Sequence, residues 1–325
     1  RFGNGNRKKS VSLYQTPFRK CPLSIRRRKN ESESCNLCCS HGRYLWRSRH
    51  LVCKREFCLL GNEIKNSLSP TIHNNLLKSN NLNGLYITIN VDSANLKGVI
   101  NTLCKLNFRG FNVTIPHKTN ILQYLDSLDP LAQEVNAVNT ILHDNKKLIG
   151  YNTDVEGFMT PLHGKIKNFD NKKAVILGAG GASKAVLYGL TQANCKEIII
   201  LNRSLENAKA NISKLNSDIS ISCDKLTQQN IDSLSDIDIL VNTVPLNKTN
   251  TSFIFNKKLN VKIAYDLEYV PKETNFIKQM KSINADVIYG YEMLIAQAKL
   301  SFNIWTGISS NTDSLNAKIL DLLGE

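Results

Sequence analysis

The stretch Lys172–Leu190, KKAVILGAGGASKAVLYGL, decides the fold of this chain. Ala174–Leu177 is a short apolar run of the kind found in parallel strands that are buried on both faces. The run ends in a glycine-rich turn, and apolar residues of Ala182–Ala193 then recur along one face of a predicted helix. A strand, a glycine turn and a helix in this order form a site for a pyrophosphate, because the backbone approaches closely and the helix start offers free amide groups. We therefore expect a dinucleotide to contact Gly178, Ala179, Gly180, Gly181 and Ala182.

The next predicted strand indicates which dinucleotide is bound. Glu197–Leu201 (EIIIL) is followed by Asn202, Arg203 and Ser204, about 20 residues past the glycines, where NAD-binding folds carry an acidic residue. A carboxylate repels a 2′-phosphate, whereas a guanidinium pairs with it through two hydrogen bonds. The arginine predicts NADP rather than NAD; the alternative is a solvated Arg203 at a strand end.

Charge is distributed unevenly along the chain. The net charge is +15, but residues 1–55 hold 15 Lys+Arg against 2 Asp+Glu, a net +13, and the remaining residues hold 27 against 25, a net +2. The nearly neutral body therefore gives no reason to expect nucleic-acid binding. No apolar run approaches the roughly 20 residues of a membrane span, so no membrane association is expected.

The basic leader, residues 1–55, has no hydrophobic period and does not begin with methionine. We favour translated upstream sequence or another non-native segment; a disordered basic tail and an arginine- and serine-rich targeting peptide are alternatives. Cys35, Cys38, His50 and Cys53 have metal-like spacing, but one Cys-x2-Cys with an irregular partner is weak support, and we predict no metal site.

Cysteine usage points to a reducing compartment. Six of the nine cysteines fall at or before the first predicted strand, which leaves Cys104, Cys195 and Cys223 scattered in apolar settings. Buried, reduced thiols fit this pattern better than a disulfide framework does, so we expect a cytoplasmic protein.

Two motifs in the first half of the body carry candidate functional side chains. Ser67 and Ser69 enter a predicted helix, where hydroxyls usually cap free amides, although the same geometry suits a small anion; the residues alone favour capping. Lys118 lies just past the predicted strand Gly110–Ile115 on the first turn of a helix, where the dipole disfavours a cation. A lysine in that position is more often functional than one in mid-helix, and its neighbour His117 is interpreted as structural.

Further along, Ala137–His143 and Lys146–Tyr151 predict a hairpin with Asn139 inside its first strand. If buried, the Asn139 amide must bind backbone or ligand. Thr153 or Asp154 is the natural cap of the following helix, close to a predicted hinge between domains, where ligand clefts commonly form. Gln297 is polar near the apolar face of the last long helix, and a solvated side chain explains it equally well.

Together, these segments resemble the shikimate dehydrogenase family over about residues 56–310. The matching motifs, in the family's order, are Ser67-Leu68-Ser69-Pro70 with His73-Asn74, Gly110-Phe111-Asn112-Val113-Thr114-Ile115-Pro116-His117-Lys118, Ala137-Val138-Asn139-Thr140, Asn152-Thr153-Asp154, Gly178–Ala182, Asn202-Arg203-Ser204, and Gly290 with Met293-Leu294-Ile295-Ala296-Gln297.

The resemblance implies NADP-dependent, reversible reduction of 3-dehydroshikimate to shikimate in aromatic amino acid (chorismate) biosynthesis. It implies that Lys118 and Asp154 are the catalytic pair and that Ser67 and Ser69 hold the substrate carboxylate, which overrides capping. It further implies that the substrate hydroxyls bind Thr114, Asn139 and Gln297, and that the cofactor binds Asn202, Arg203, Ser204 and Gly290 as well as the glycine turn.

The chain departs from the family pattern at three places. Asn136 replaces a glycine, but asparagine tolerates a left-handed conformation, so we expect the turn to survive. Asn207 replaces a frequent second basic residue, for which Lys209 is a candidate substitute. Leu246, Asn247 and Lys248 replace a Gly-Met pair in the nicotinamide-side loop.

We predict an α/β protein of two domains beyond the leader. Residues 56–153 plus 291–325 form the substrate domain with a mainly parallel sheet, and residues 154–290 form a Rossmann-type NADP-binding domain. The alternatives are a quinate or dual quinate/shikimate dehydrogenase, and a non-catalytic regulator that binds the metabolite. A monomer and a homodimer are both compatible with the sequence.

Overall fold

The structure is a computed structural model that describes residues 55–62, 64–213, 215, 219–246, 253–256, 259–311 and 313–323. The predictions for the leader up to Lys54, including the disfavoured zinc site, lie outside these residues. So do the departures at Asn247 and Lys248.

The first sheet has the strand order β2-β1-β3-β5-β6-β4 and is of mixed direction. β1 pairs in parallel with β2 and β3, and β4 pairs in parallel with β6, whereas β5 is antiparallel to both of its neighbours, β3 and β6. The strands are β1 (Arg55–Gly61), β2 (Gly84–Asn90), β3 (Gly110–Val113), β4 (Ser127–Leu128), β5 (Thr140–Asp144) and β6 (Lys147–Tyr151).

Helices cover both faces of this sheet, because the side chains of β1 are apolar on both faces. Cys58 and Leu60 pack towards α2 (Leu96–Lys105), while Phe57 and Leu59 pack towards α1 (Ser69–Ser79), α10 (Gly290–Thr306) and α11 (Asp313–Leu322). The helices from the first half of the chain are α1 (Ser69–Ser79), α2 (Leu96–Lys105), α3 (His117–Asn120), a 3₁₀ turn (Ile121–Tyr124) and α4 (Pro130–Val135).

The second sheet is parallel throughout, with the order β12-β11-β10-β7-β8-β9. Its strands are β7 (Lys173–Leu177), β8 (Glu197–Asn202), β9 (Ser220–Lys225), β10 (Ile237–Asn242), β11 (Val261–Asp266) and β12 (Asp286–Ile288). Its order is that of a doubly wound dinucleotide-binding sheet, which reverses between β7 and β10 and opens a crevice there. The α/β fold class predicted from the strand runs is therefore confirmed.

The remaining helices pack against the second sheet or join the two sheets, except α11, which packs with α1 and α10 against the first sheet. They are α5 (Asp154–Lys165), α6 (Gly181–Gln192), α7 (Leu205–Ile212), α8 (Gln228–Asp232), α9 (Asn275–Ser282), α10 (Gly290–Thr306) and α11 (Asp313–Leu322). None of the helices in the described ranges combines the length and apolarity needed to cross a bilayer.

Local predictions around the hairpin are mostly confirmed. β5 and β6 are antiparallel, and Asn136 ends α4 at φ 53°, ψ 44°, the left-handed conformation expected of it. Asn139, however, precedes β5 rather than lying inside it. Its main chain still continues the ladder, because Val113 N donates to Asn139 O and Asn139 N donates to Tyr151 O.

Thr153 is the N-cap residue of α5, as one of the two predicted alternatives has it, but the capping side chain is that of Asn152. Asn152 accepts hydrogen bonds from the main-chain amides of Asp154 (3.0 Å) and Val155 (3.3 Å), and Thr153 makes no side-chain cap. Asparagine is as good an acceptor at a helix start as threonine or aspartate. Because Asn152 takes this role, the side chains of Thr153 and Asp154 are available for other contacts.

Candidate active site

A cleft of about 620 Å³ lies between the two sheets, at the carboxyl ends of β10 and β11. One wall comes from the first half of the chain and includes Ser67, Ser69, Thr114, Lys118 and Asn139. The opposite wall comes from the α6 start, the loops after β10 and β11, and α10. Ligands of doubly wound proteins bind at this edge of the sheet, outside the strand ends.

Lys118 and Asp154 form a close ion pair in this cleft. Lys118 Nζ donates to Asp154 Oδ2 at 2.6 Å, and the two side chains retain only 13% and 6% of their exposure. The pair joins α3 to the first residue of α5. Charges held so close and so far from water interact strongly, so the pair provides both a proton donor and a fixed carboxylate.

The amide of Asn139 is oriented by its neighbours. The Thr153 main-chain N–H, which can only donate, meets Asn139 Oδ1 at 2.8 Å. Asn139 Nδ2 must then face the other way, where it donates to Asp154 Oδ1 at 2.8 Å and to Thr153 Oγ1 at 2.9 Å. Both oxygens of Asp154 therefore accept hydrogen bonds, which fixes this side chain between Lys118 and Asn139.

The two serines lie at the start of α1 and line the cleft. Ser67 Oγ donates to Ser69 Oγ at 3.1 Å and accepts from the Ser69 amide at 3.2 Å, so the hydroxyls form one polar patch. Neither serine is the cap residue of α1; Leu68 holds that position and makes no side-chain cap. Ser67 Oγ nevertheless satisfies the Ser69 amide at the helix start, as the capping interpretation expects, and the paired hydroxyls also line the cleft.

Tyr269, on the loop after β11, faces the same two serines from the opposite wall. Burial raises the pKa of its phenol, and contacts with the Ser67 side chain and the Leu68 main chain oppose that shift. The sequence analysis did not select this residue. Its only sequence signal is a tyrosine three residues after a buried strand end, which is too common to be informative.

Gln297 lies on the buried face of α10 and lines the cleft with Thr114. Its Oε1 is 3.4 Å from both Asn139 Nδ2 and Thr153 Oγ1, and its Nε2 donates to Leu294 O at 3.1 Å. Gln297 is therefore part of the polar cluster and not an ordinary solvated side chain.

The glycine turn fits a dinucleotide pyrophosphate. Gly178 has φ +103°, and a Cβ there would lie 2.4 Å from Thr243 Oγ1, whereas a Cβ on Gly180 would meet no atom within 4 Å. Gly180 precedes α6 without any side-chain cap, so the first amides of this 12-residue helix remain available to an anion. Ala179 N donates to Asn202 Oδ1 at 3.1 Å, which braces the turn against the end of β8.

The turn also lies next to the Lys118–Asp154 pair, since a Cβ on Gly181 would lie 3.7 Å from Lys118 Cδ. Ala182 and Gly290 line the cleft itself, whereas Gly178–Gly181 and Asn202–Ser204 lie outside its lining. A Cβ on Gly290 would be 2.7 Å from the carbonyl oxygens of Leu267 and Glu268, so glycine permits α10 to start against that loop.

The predicted 2′-phosphate region lies at the end of β8. Ser204 Oγ caps α7, accepting from Asn207 N at 3.5 Å, and Arg203 is exposed. Among the described residues, the Arg203 guanidinium has no hydrogen-bond or ion-pair partner, so it is available to a ligand.

The fold and the cleft define a Rossmann-type, dinucleotide-binding oxidoreductase with a second α/β sheet across a shared site. The sequence model described as shikimate dehydrogenase substrate binding domain matches residues 59–141, and that described as shikimate / quinate 5-dehydrogenase matches residues 162–261. The chain belongs to the shikimate dehydrogenase family, which confirms the resemblance seen in the sequence.

Individual relatives agree with this assignment. The shikimate dehydrogenase (NADP(+)) of Methanocaldococcus jannaschii is 39% identical over 272 residues, covering 81% of this chain and 95% of the relative. A solved shikimate dehydrogenase in complex with NADP+ has a TM-score of 0.74 at 35% identity, covering 84% of this chain and 96% of its own. The Thermus thermophilus enzyme in complex with NADP(H) and shikimate has a TM-score of 0.70 at 30% identity, covering 82% and 99%.

Proposed function

We propose that this protein is a shikimate dehydrogenase that reduces 3-dehydroshikimate reversibly with NADPH. The observation that carries the proposal is the Lys118–Asp154 pair, at 2.6 Å, in a cleft next to a dinucleotide-type glycine turn. Family membership and relatives named for this activity support the same conclusion.

Substrate recognition follows from the two polar regions of the cleft. An anionic carboxylate suits the hydroxyl patch of Ser67, Ser69 and Tyr269, where three O–H groups can donate. The ring hydroxyls then suit the amides and hydroxyl of Thr114, Asn139 and Gln297. Because side-chain amides both donate and accept hydrogen bonds, they can bind a hydroxyl group as its donor or as its acceptor.

Proton transfer falls to Lys118. Reduction of a ketone builds negative charge on its oxygen, and the Lys118 ammonium can donate a proton there while stabilising the charge. Asp154 holds the ammonium in place through Oδ2, and Asn139 holds Asp154 through Oδ1. In the reverse direction, the neutral amine of Lys118 takes the hydroxyl proton.

NADPH, when bound, supplies the hydride. The α6 start and the glycine turn would hold its pyrophosphate, and Arg203 with Ser204 would hold the 2′-phosphate. Gly290 and Ala182, which line the cleft, would border the nicotinamide end.

We also infer a cytoplasmic location. The cysteines of the described ranges, Cys58, Cys104, Cys195 and Cys223, are all free thiols. Burial raises the pKa of Cys195 to about 12, which keeps this thiol protonated and unreactive. Free thiols of this kind suit a reducing compartment.

The test is nicotinamide reduction by the purified protein, with shikimate and quinate each offered with NADP and with NAD. Rapid turnover of shikimate with NADP, and slow turnover in the other three combinations, is expected. Preference for quinate or for NAD would contradict the assigned substrate or cofactor. If the folded protein shows no turnover in any of the four combinations, the result would contradict a catalytic function and favour a metabolite-binding regulator.

A further inference from the structure

The 2′-phosphate region lacks its second cation at the position where the family often has one. Asn207 takes that position, on the first turn of α7. Lys209 is two residues further along the helix, about 200° around its axis, so it points away from the side of Asn207. Another element would have to supply the charge.

Lys225, the last residue of β9, is placed to do so. It is the register partner of Asn202 on the neighbouring parallel strand, and Leu226 N donates to Asn202 O at 3.1 Å. Register partners on parallel strands present their side chains on the same face of the sheet, with strands about 4.8 Å apart. Asn202 uses that face to contact the glycine turn and Ser204 O. The Lys225 side chain therefore starts beside residues 202–204, the α7 entrance.

The charges around this entrance agree with the placement. The Glu206 carboxylate accepts from Ser204 Oγ at 2.8 Å. Its own backbone amide and Ser204 Oγ lower the pKa of Glu206, and the charges of Lys209 and Lys225 lower it further. Lys225 is exposed, and its ammonium forms no hydrogen bond or close ion pair with any described residue.

We propose that Lys225 is the second cation for the 2′-phosphate of NADP, reaching across from β9 to face Arg203. This inference rests on the proposed NADP-dependent function and adds a specificity-determining residue to it. Without Lys225, the phosphate would meet the negative Glu206 carboxylate with Arg203 as the cation presented at the end of β8. The ammonium of Lys225 offsets that repulsion and favours NADP over NAD.

The test is calorimetric binding of 2′,5′-ADP and of 5′-AMP, which lacks the 2′-phosphate, to the full-length protein. Lys225→Met removes the charge and keeps the stem; it should weaken 2′,5′-ADP binding about five- to tenfold and leave 5′-AMP binding unchanged. Lys225→Arg should restore affinity to within about twofold. The loss should shrink between about 50 mM and about 500 mM NaCl, because exposed charges are screened.

Two matched variants complete the design. Lys196→Met removes an exposed lysine at the opposite end of β8, and Lys209→Met tests the lysine on α7; neither should weaken 2′,5′-ADP binding. Unchanged binding by Lys225→Met, an equal loss for 5′-AMP, or a loss confined to Lys209→Met would each overturn the role of Lys225. If the unaltered protein does not prefer 2′,5′-ADP to 5′-AMP, the NADP assignment itself is wrong. If the preference exists but does not depend on Lys225, only the role of Lys225 is wrong.

Discussion

At the scale of single residues, the cleft is organised by opposite charges that lie 36 positions apart in the chain. Lys118 and Asp154 are largely removed from water, so each relies on the other for compensation. Asn139 adds a neutral donor to the carboxylate without a second cation. The ammonium is thus held in one place, which is what directed proton transfer to a substrate oxygen requires.

Replacing the ammonium should remove turnover and preserve recognition. Lys118→Ala is expected to lower kcat by about 10²–10⁴-fold, because no other donor occupies its place, while shikimate still binds the serine patch. Steady-state kinetics and calorimetric titration with shikimate measure the two effects separately. Lys105→Ala, an exposed lysine at the end of α2, is the control, and undiminished kcat in Lys118→Ala would exclude Lys118 from the mechanism.

The phenol of Tyr269 should contribute to binding more than to chemistry. Tyr269→Phe removes one donor from the carboxylate site and is expected to raise KM for shikimate about tenfold with kcat within about threefold. Tyr188→Phe is the control, since that phenol bonds Glu134 outside the cleft. An unchanged KM in Tyr269→Phe would show that the phenol does not contact the substrate.

At the scale of elements, the close crossing of α5 and α10 brings the polar groups together. A Cβ on Gly157 of α5 would lie 2.7 Å from Gln297 Cβ and 3.1 Å from Gln297 N of α10. Asp154 is one turn before Gly157 on the same helix, so this contact sets how far Asp154 lies from Gln297. Glycine at this position is therefore a packing requirement, since it is the main chain of α10 that a side chain would strike.

Adding one methyl group at the crossing tests this directly. Gly157→Ala must separate the helices and is expected to lower the free energy of unfolding by about 1–3 kcal/mol and to reduce kcat/KM. Gly164→Ala lies on the same helix, where a Cβ meets nothing within 4 Å, and should stabilise the protein by up to about 1 kcal/mol through helix propensity. Urea unfolding and kinetics of both variants give the comparison; equal effects in the two would contradict the packing argument.

At the scale of the whole molecule, folding buries a titratable ring that makes no hydrogen bond to the Lys118–Asp154 pair. His73 of α1 stacks on Tyr86 with ring centroids 4.3 Å apart, and neither ring nitrogen has a hydrogen-bond partner among the described residues. Burial lowers the pKa of His73 from 6.5 to about 3. The folded protein therefore keeps this imidazole neutral at pH values where the unfolded chain protonates it.

The sign of the resulting pH dependence follows from proton linkage. Between pH 6.5 and about 3 the unfolded state binds more protons at His73, so stability is lost as the pH falls through this window. His73→Phe keeps the stacking and removes the titration. When the pH is lowered from about 7.5 to about 5.5, the free energy of unfolding should fall by about 1.4 kcal/mol less in this variant than in the unaltered protein. Urea unfolding at both pH values measures this difference.

His163→Phe is the control for this measurement, because His163 is exposed. An identical pH slope in the His73→Phe variant and the unaltered protein would contradict the linkage.

The leader should be dispensable to the folded body. The family match begins at Leu59, after the basic leader, and the relatives cover about four-fifths of the chain. Deletion of residues 1–54 is therefore expected to leave kcat and the thermal midpoint unchanged. A loss of activity or a lowered midpoint in calorimetry would show that the leader contributes to the fold or the site.

The sequence by itself determined the features that depend on neighbouring residues. The apolar run and glycine turn of Lys172–Leu190, the hairpin, and the left-handed Asn136 are local, because periodicity and backbone preference act over a few residues. The family motifs, which are short and contiguous, also pointed to side chains that line one cleft: Ser67, Ser69, Thr114, Lys118, Asn139, Asp154 and Gln297. The division at residue 153 remains a prediction.

The tertiary structure alone decided the features that depend on contacts between distant segments. Asn152, Thr153 and Asp154 are all good helix caps, and only packing against the cleft selected Asn152 and turned Asp154 towards Lys118. Tyr269 reaches Ser67 across the cleft, and the register of β8 and β9 places Lys225 beside Asn202. Such placements depend on sheet order and register, which local preferences of the chain do not encode.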